Sequence, residues 1–162
     1  MWIYLVLAID LFILCLYLFA SVADVIYWKD HIPSYFAEKY SKEKYDEAKS
    51  YQKNKVVFSI VENIFLILLL AIALNFKIFV ALDTFLANYI HDLFWQSYLF
   101  FQILITALWL LQLPFDYYFT FIIEEKFKFN RSTKTLFLRD KIIELFLESV
   151  ILLIVGGFLI YF

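Results

Sequence analysis

The chain has 162 residues, of which 64% are hydrophobic and 22% aromatic, and its mean hydropathy is +0.78. The hydrophobic share and the mean hydropathy both exceed what a water-soluble domain needs. The composition therefore indicates an integral membrane protein whose main partner is the lipid bilayer. The 14 basic and 16 acidic residues nearly cancel, which argues against nucleic acid as a partner, and a single cysteine excludes an intrachain disulfide framework.

Four apolar stretches approach or exceed the roughly 20 residues that a helix needs to cross a bilayer. They run from about 1 to 27, 56 to 76, 98 to 123 and 142 to 162. Pro114 lies in the third stretch and removes a backbone donor there, so we expect a kink. The predicted fold class is all-α, a polytopic membrane protein with about four transmembrane helices.

Between the second and third stretches, residues 77–97 place apolar side chains at helical spacing. Lys77, Asp83 and Asp92 interrupt the pattern. We therefore expect an interfacial helix or a short re-entrant segment here, and not a fifth span.

Basic residues form two blocks, 29–55 and 124–148, and Lys77 is the only one of the 14 outside them. Because Lys and Arg accumulate on the cytoplasmic side, this pattern predicts both blocks in the cytoplasm and the amino terminus outside. We expect the membrane to be a bacterial inner (plasma) membrane. Within the first block, Ser41 is positioned to cap a helix that continues into the second span.

Three carboxylates fall inside the apolar stretches, where an isolated charge must pair, take up a proton or face water. Asp10, Glu62 and Asp116 are therefore candidates to line a water-filled cavity, although structural hydrogen bonding or snorkelling also accounts for them. Glu144 and Glu148 share a helix face and repel each other unless a cation such as Lys141 compensates.

The chain contains no HExxH, no GxSxG and no glycine-rich phosphate loop. The two histidines, His31 and His91, lie in segments that the charge pattern assigns to opposite membrane faces. We therefore expect no catalytic residue and no metal ligand among these residues.

The most specific motif lies between Leu113 and Ile143. Its residues follow the pattern Y-x-x-F-x-I-E-E-K, and the matching positions are Tyr118, Phe121, Ile123, Glu124, Glu125, Lys126, Phe129 and Asn130, followed more loosely by Thr135, Phe137, Asp140 and Ile142. Upstream, Tyr45, Ala48 and Tyr51 form a Tyr-x-x-Ala-x-x-Tyr pattern that leads into the second span. Together these segments resemble the integral-membrane zinc metallopeptidases of the CAAX prenyl protease type.

The resemblance implies that residues 1–162 are the amino-terminal transmembrane domain of a zinc metalloendopeptidase. The family's zinc site uses HExxH, which is absent here, so we expect zinc in the complete enzyme and no cofactor in this chain. The domain would form chamber wall and part of a cytoplasmic cap, would be inactive alone, and would have the catalytic domain and a peptide substrate as partners. That catalytic domain belongs to the same or a separate chain.

The resemblance also implies what the motif does. Its charged residues are expected to form ion pairs that dock the loop on the catalytic domain and to make no contact with substrate: Glu124, Glu125, Arg131, Arg139, Asp140 and Lys141. Lys128 stands where the family usually has Gly, so the left-handed turn that Gly would allow is expected to be difficult to reach.

A second interpretation is a non-enzymatic membrane scaffold or small transporter subunit that keeps the family's fold without a protease half. The chain is compatible with a truncation, a split gene or a stand-alone product. An HExxH encoded beyond codon 162 would favour the protease.

Overall fold

The computed structural model describes residues 2–28, 32 and 41–161, with side chains for 11–23, 25–28, 32 and 41–160. Its helices are α1 (Trp2–Ile26), α2 (Lys42–Asn75), α3 (Ile78–Ala87), α4 (Leu93–Tyr118) and α5 (Lys134–Tyr161). A π-helical turn, Phe119–Glu124, extends α4. The all-α fold class predicted from the sequence is confirmed.

Among the described residues, three helices are long and apolar enough to cross a membrane: Lys42–Asn75, Leu93–Glu124 and Lys134–Ile160. Helix α1 has 25 residues, of which Leu11–Ala23 is a shorter apolar part within the described side chains. Helix α3 has 10 residues and is only about 15 Å long, too short for a bilayer core of roughly 30 Å. Its length agrees with the expected interfacial or re-entrant segment.

Large apolar side chains cover much of the surface, as expected for helices in lipid. Phe146 and Ile154 on α5 are each more than half exposed, as are many other Leu, Ile and Phe residues. Within the described part of the chain, the buried residues are few: Val56, Ala73, Leu86, Phe94, Ile123 and Phe127.

Helix α2 begins as the sequence predicts. The Ser41 side chain accepts a hydrogen bond from the Lys44 backbone N–H at 3.4 Å and thereby satisfies one of the donors that open a helix. The helix then runs unbroken from the charged segment into the apolar one. It ends before Lys77, whose left-handed backbone (φ 55°) lets α3 leave in a new direction.

Consecutive long helices run antiparallel. Trp28, just after α1, packs edge-on against Tyr45 near the start of α2, and its carbonyl accepts from the Lys49 ammonium. The start of α4 also meets the end of α5. A Cβ added at Gly157 would lie 3.5 Å from the ring of Phe94.

Helices α2 and α4 meet through aromatic rings at several levels. Phe65 packs on Phe115 with ring centroids 4.9 Å apart, and Phe58 stacks on Tyr118 at 5.7 Å. Tyr51 lies nearer the amino end of α2. Its ring touches Phe129, which lies beyond the end of α4.

This arrangement places the charged segments at one end of the bundle. The described part of the first basic block, from Lys42 to Lys55, lies beside the loop that joins α4 to α5. Lys77 and helix α3 lie at the other end. The shared end is what the charge pattern requires, while its assignment to the cytoplasm stays a prediction.

Candidate functional site

The end of α4 is shaped by the π-helical turn. Helix α4 remains helical through Pro114 to Tyr118, and the wider turn begins at Phe119. Single-turn π-helices insert an extra residue and redirect the side chains that follow. Here Phe119 contacts Phe58 on α2, whereas Phe121 contacts Phe137 on α5. The turn therefore holds α4 between both neighbouring helices.

After the π-helical turn, the chain ends its helix with a left-handed cap. The Phe129 N–H donates to the Glu124 carbonyl at 2.9 Å and the Lys128 N–H donates to the Glu125 carbonyl at 3.0 Å, the two bonds of a Schellman motif. Lys128 has φ 60°, so it adopts the left-handed conformation that the sequence suggested would be difficult. The two cap hydrogen bonds offset the steric cost of about 1 kcal/mol.

The loop from 125 to 133, called the motif loop below, is tied together by its own side chains. Asn130 donates from Nδ2 to Glu125 Oε2 at 2.9 Å and accepts at Oδ1 from the Ser132 N–H at 2.7 Å. Thr133 Oγ1 accepts from the Leu136 N–H and opens α5. Glu125 and Asn130 both belong to the sequence motif, and in the structure they are hydrogen-bonded partners within the loop.

Aromatic packing fixes the motif loop to α2. The Tyr51 ring meets Phe127 and Phe129 edge-on, at 5.4 and 4.8 Å. Phe127 is buried, and the ammonium of Lys126 lies 5.4 Å from its ring centroid. Tyr51 and Phe129 both come from the motifs that the sequence singled out.

Lys141 ties α4 to α5. Its ammonium lies 2.8 Å from Asp116 Oδ2 and 2.7 Å from Glu144 Oε2, and the indole of Trp109 donates to its backbone carbonyl at 3.1 Å. The sequence predicted that Lys141 would compensate Glu144, and the structure agrees. It did not reveal the partners Asp116 and Trp109, which are separated from Lys141 along the chain.

A groove beside this ion pair carries unusual polarity for an apolar region. The groove, called the acidic groove below, has a volume of about 480 Å³. Glu148 lies within the apolar part of α5 and is exposed, and the sequence did not mark it as a cavity residue. The side chains that line the groove on α4 and α5 include Gln112, Asp116, Lys141, Glu144 and Glu148 among apolar neighbours.

A second cleft, called the loop cleft, lies between the motif loop and the start of α5. Its volume is also about 480 Å³. Asp140 lies at its edge, with a carboxylate 3.6 Å from the guanidinium of Arg139, and both side chains are mostly exposed. The polar residues that line the cleft include Thr120, Glu124, Asn130, Arg131, Asp140 and Lys141.

The three carboxylates predicted inside the apolar stretches have different placements. Asp116 is half-buried and paired with Lys141. Glu62 is half-buried on α2. Asp10 lies in α1, but its side chain falls outside the part of the chain that the structure describes.

A metal centre does not emerge from this geometry. Within the described residues, no group of three or more His, Cys, Asp or Glu side chains could hold a metal ion. The polar residues instead form an interhelical ion pair, a self-bonded loop and two grooves. Fold and site together define the class, a polytopic helical membrane domain with an ordered charged loop at one end.

Comparison with known proteins gives the family. Residues 22–162 match the model described as "CAAX prenyl protease N-terminal, five membrane helices", so the chain belongs to this family. The resemblance seen in the motif residues is thereby confirmed. The membrane class and multi-pass architecture follow from the same match and from the helices described above.

Two curated relatives support the assignment. The chain is 30% identical over 118 residues to "CAAX prenyl protease 1 homolog" of Dictyostelium discoideum, covering 69% of this chain and 28% of the relative. It is 46% identical over 48 residues to "Probable CAAX prenyl protease 1" of Schizosaccharomyces pombe, covering 30% of this chain and 10% of the relative. The matched region is thus a minor part of both relatives. No solved structure is significantly similar to the chain.

Proposed function

We propose that this chain acts as the non-catalytic amino-terminal membrane domain of a zinc metalloendopeptidase of the CAAX prenyl protease type. Its helices would wall part of an intramembrane chamber, and the motif loop would contribute to a cytoplasmic cap. The observation that carries the proposal is the family match over residues 22–162. Both named relatives are CAAX prenyl proteases by their printed names.

The acidic groove supports the chamber-wall role. Charged groups in transmembrane helices face a bundle interior or a water-filled cavity, because hydrocarbon cannot solvate them. Glu148 is exposed here without an ion pair in the described part of the chain, and Asp116 lines the same groove. The α4–α5 face is therefore a better candidate for the chamber side than the apolar face that carries Phe146.

The motif loop supports the cap role. Its backbone is fixed by the Schellman motif and by the Glu125–Asn130 hydrogen bond, so it presents a defined surface. Arg139 and Asp140 lie about two turns along α5, beside the loop cleft, and remain mostly exposed. A rigid loop with exposed charges is suited to a partner surface because little conformational entropy is lost on docking.

Zinc would be bound outside the residues described here, since they hold no fitting ligand set. The catalytic domain would supply those ligands, whether it belongs to the same chain or to a separate one. Peptide substrate would be cut there, and this domain would enclose the site.

A reconstitution experiment tests the division of labour. The 162-residue chain, purified alone in detergent, is expected to cleave no prenylated peptide, whereas co-expression with a catalytic domain of the family is expected to give chelator-sensitive cleavage. Cleavage by this chain alone would refute the non-catalytic assignment. Failure of every co-expressed domain to bind the chain would favour the scaffold interpretation.

Docking through the exposed charges can be tested with a conservative change. Asp140→Asn keeps the size of the side chain and removes its charge, so it is expected to weaken co-purification with the catalytic domain. Asp83→Asn is the matched control, since Asp83 lies on α3 at the other end of the bundle and accepts from Gln96. Equal recovery of both variants would contradict docking through Asp140.

A further inference from the structure

The acidic groove is formed by one face of α4 and one face of α5. Its residues recur along each helix at helical spacing, so the two faces make a continuous wall. From Ile105 to Asp116, the α4 side of this wall is about 16 Å long at a rise of about 1.5 Å per residue. An extended peptide rises about 3.3 Å per residue, so the groove has the length of a segment of about five residues.

The two halves of the acidic groove differ in polarity. The half nearer the motif loop carries all of the charged side chains that line the groove. The other half is aliphatic, and its residues are Ile105, Leu108, Ile151, Leu152 and Val155. The groove therefore suits a ligand that is polar at one end and apolar at the other.

The charges of the polar half do not balance. Lys141 is already shared by Asp116 and Glu144, at 2.8 and 2.7 Å. Glu148 and Gln112 also line the groove, and neither side chain has a hydrogen-bond or ion-pair partner among the described residues. Both offer acceptor oxygens. A carboxylate without a counter-charge in a membrane span must face water or meet a cation.

We infer that the acidic groove binds the substrate peptide and selects peptides that carry a lysine or an arginine. Glu148 would pair with the ammonium or guanidinium group, and the side-chain carbonyl of Gln112 would accept a further hydrogen bond from it. Apolar side chains of the same peptide would lie in the aliphatic half. The inference rests on the proposed function, since it requires the α4–α5 face to lie on the chamber side.

A substrate fits Glu148 better than a permanent protein partner does. Burying this carboxylate against another helix would carry a desolvation cost of several kcal/mol in every enzyme molecule. In a water-filled chamber the same carboxylate stays hydrated between substrates. It exchanges that water for a cation only when a basic peptide enters.

Pairs of prenylated peptides test the selection. The two members of a pair differ at one position, which is Lys in one and Gln in the other, and this position is moved along about five residues upstream of the prenylated residue. The complex of this chain with a catalytic domain of the family is expected to show a KM about tenfold lower for the Lys peptide at one position, since hydrogen bonds to charged groups contribute about that factor. The kcat is expected to be equal, because a contact made equally in the ground and transition states changes KM alone.

Variants of Glu148 assign the selection to this residue. Glu148→Gln keeps the size of the side chain and removes its charge, so the tenfold KM ratio is expected to fall to about one. Glu148→Lys is expected to invert the selection, so that a peptide with Glu at the same position binds better than the Lys peptide. A purely structural role of Glu148 would not produce this inversion.

Glu47→Gln is the matched control for the loss of one negative charge. Glu47 is an exposed carboxylate on α2 and does not line the groove. This variant is expected to keep the tenfold KM ratio. Equal loss of the ratio in Glu148→Gln and Glu47→Gln would show a diffuse attraction and would refute a localised contact.

The remaining outcomes separate this inference from the proposed function. Cleavage with equal KM for Lys and Gln peptides at every position would refute the inference and leave the proposed function intact. Absence of cleavage by every co-expressed complex would refute both. Loss of the catalytic domain from purified Glu148→Gln would also overturn the inference, since the groove would then be an interface between domains. If Glu148→Lys fails to fold, as judged by gel filtration, the comparison of Glu148→Gln with Glu47→Gln decides the question.

Discussion

Helix α4 is held on its two sides by different kinds of contact. Towards α5 the ties are polar and directional, namely the Lys141–Asp116 ion pair and the Trp109 hydrogen bond. Towards α2 they are aromatic, with Phe58, Phe65 and Phe115 in contact. In a bilayer, apolar burial between helices gains little over lipid contact, so polar ties are better able to fix register and aromatic packing can tolerate small shifts.

Removing the Lys141 cation from the polar side of α4 should lower the free energy of unfolding most. Lys141→Met leaves Asp116 and Glu144 without their shared partner, and losing one member of a fully buried pair costs about 3 to 5 kcal/mol. Because Lys141 and Asp116 are 21% and 36% exposed, we expect about 2 kcal/mol. The free energy of unfolding in mixed detergent micelles measures this.

Two variants test the physical reason for that loss. Arg139→Gln breaks an exposed ion pair and should cost less than about 1 kcal/mol. Lys141→Met combined with Asp116→Leu should recover part of the stability, because one uncompensated carboxylate is gone. A double variant no more stable than Lys141→Met would contradict the ion-pair explanation.

A change on the aromatic side of α4 should lower the free energy of unfolding by less. Phe115→Ala removes ring contacts with Phe58 and Phe65 and is expected to cost about 1 to 1.5 kcal/mol, the value of favourable aromatic pairs. Phe146→Ala is the control, because Phe146 is 64% exposed and would face lipid. If Phe115→Ala proved more damaging than Lys141→Met, the contrast between the two sides would be wrong.

A change in the motif loop should raise stability. Lys128→Gly relieves the left-handed strain and is expected to stabilise the chain by about 1 kcal/mol. The control is Lys126→Gly, which places glycine in the preceding helical turn and should destabilise by about the same amount. Thermal unfolding of the two variants should shift in opposite directions, and a shift in the same direction would contradict the Schellman assignment.

Loss of the Trp109 indole hydrogen bond is expected to lower the free energy of unfolding least. Trp109→Phe removes the donor to the Lys141 carbonyl and should cost about 0.6 kcal/mol, a typical value for interhelical hydrogen bonds in membranes. Trp95→Phe is the control, since Trp95 makes ring contacts with Phe94 and Tyr98. Similar losses in both variants would show that the ring, and not the N–H, matters at position 109.

Much of the fold was readable from the sequence because it depends on local signals. Ser41 marked the start of α2, and the length of apolar stretches marked the spans. The Lys141–Glu144 pair was readable too, because helix geometry brings side chains three apart together. Contacts between distant residues were not, as the partnership of Lys141 with Asp116 and Trp109 illustrates.

Two other features escaped sequence reasoning for specific reasons. The π-helical turn has no strong residue signature, and the sequence predicts only a kinked span that ends at about residue 123. The left-handed Lys128 was thought difficult because propensity disfavours it, yet two backbone hydrogen bonds compensate. The roles of the exposed motif residues, such as Asp140, depend on a partner surface and stay predictions.

The π-helical turn also sets the aim of the motif loop. The turn accommodates one residue more than an α-helical turn does, so winding the same residues as ordinary α-helix would rotate everything downstream by roughly 100°. Phe127 and Phe129 would then swing away from Tyr51, although their own sequence would be intact. The additional residue in the π-helical turn therefore sets the direction in which the motif loop leaves α4.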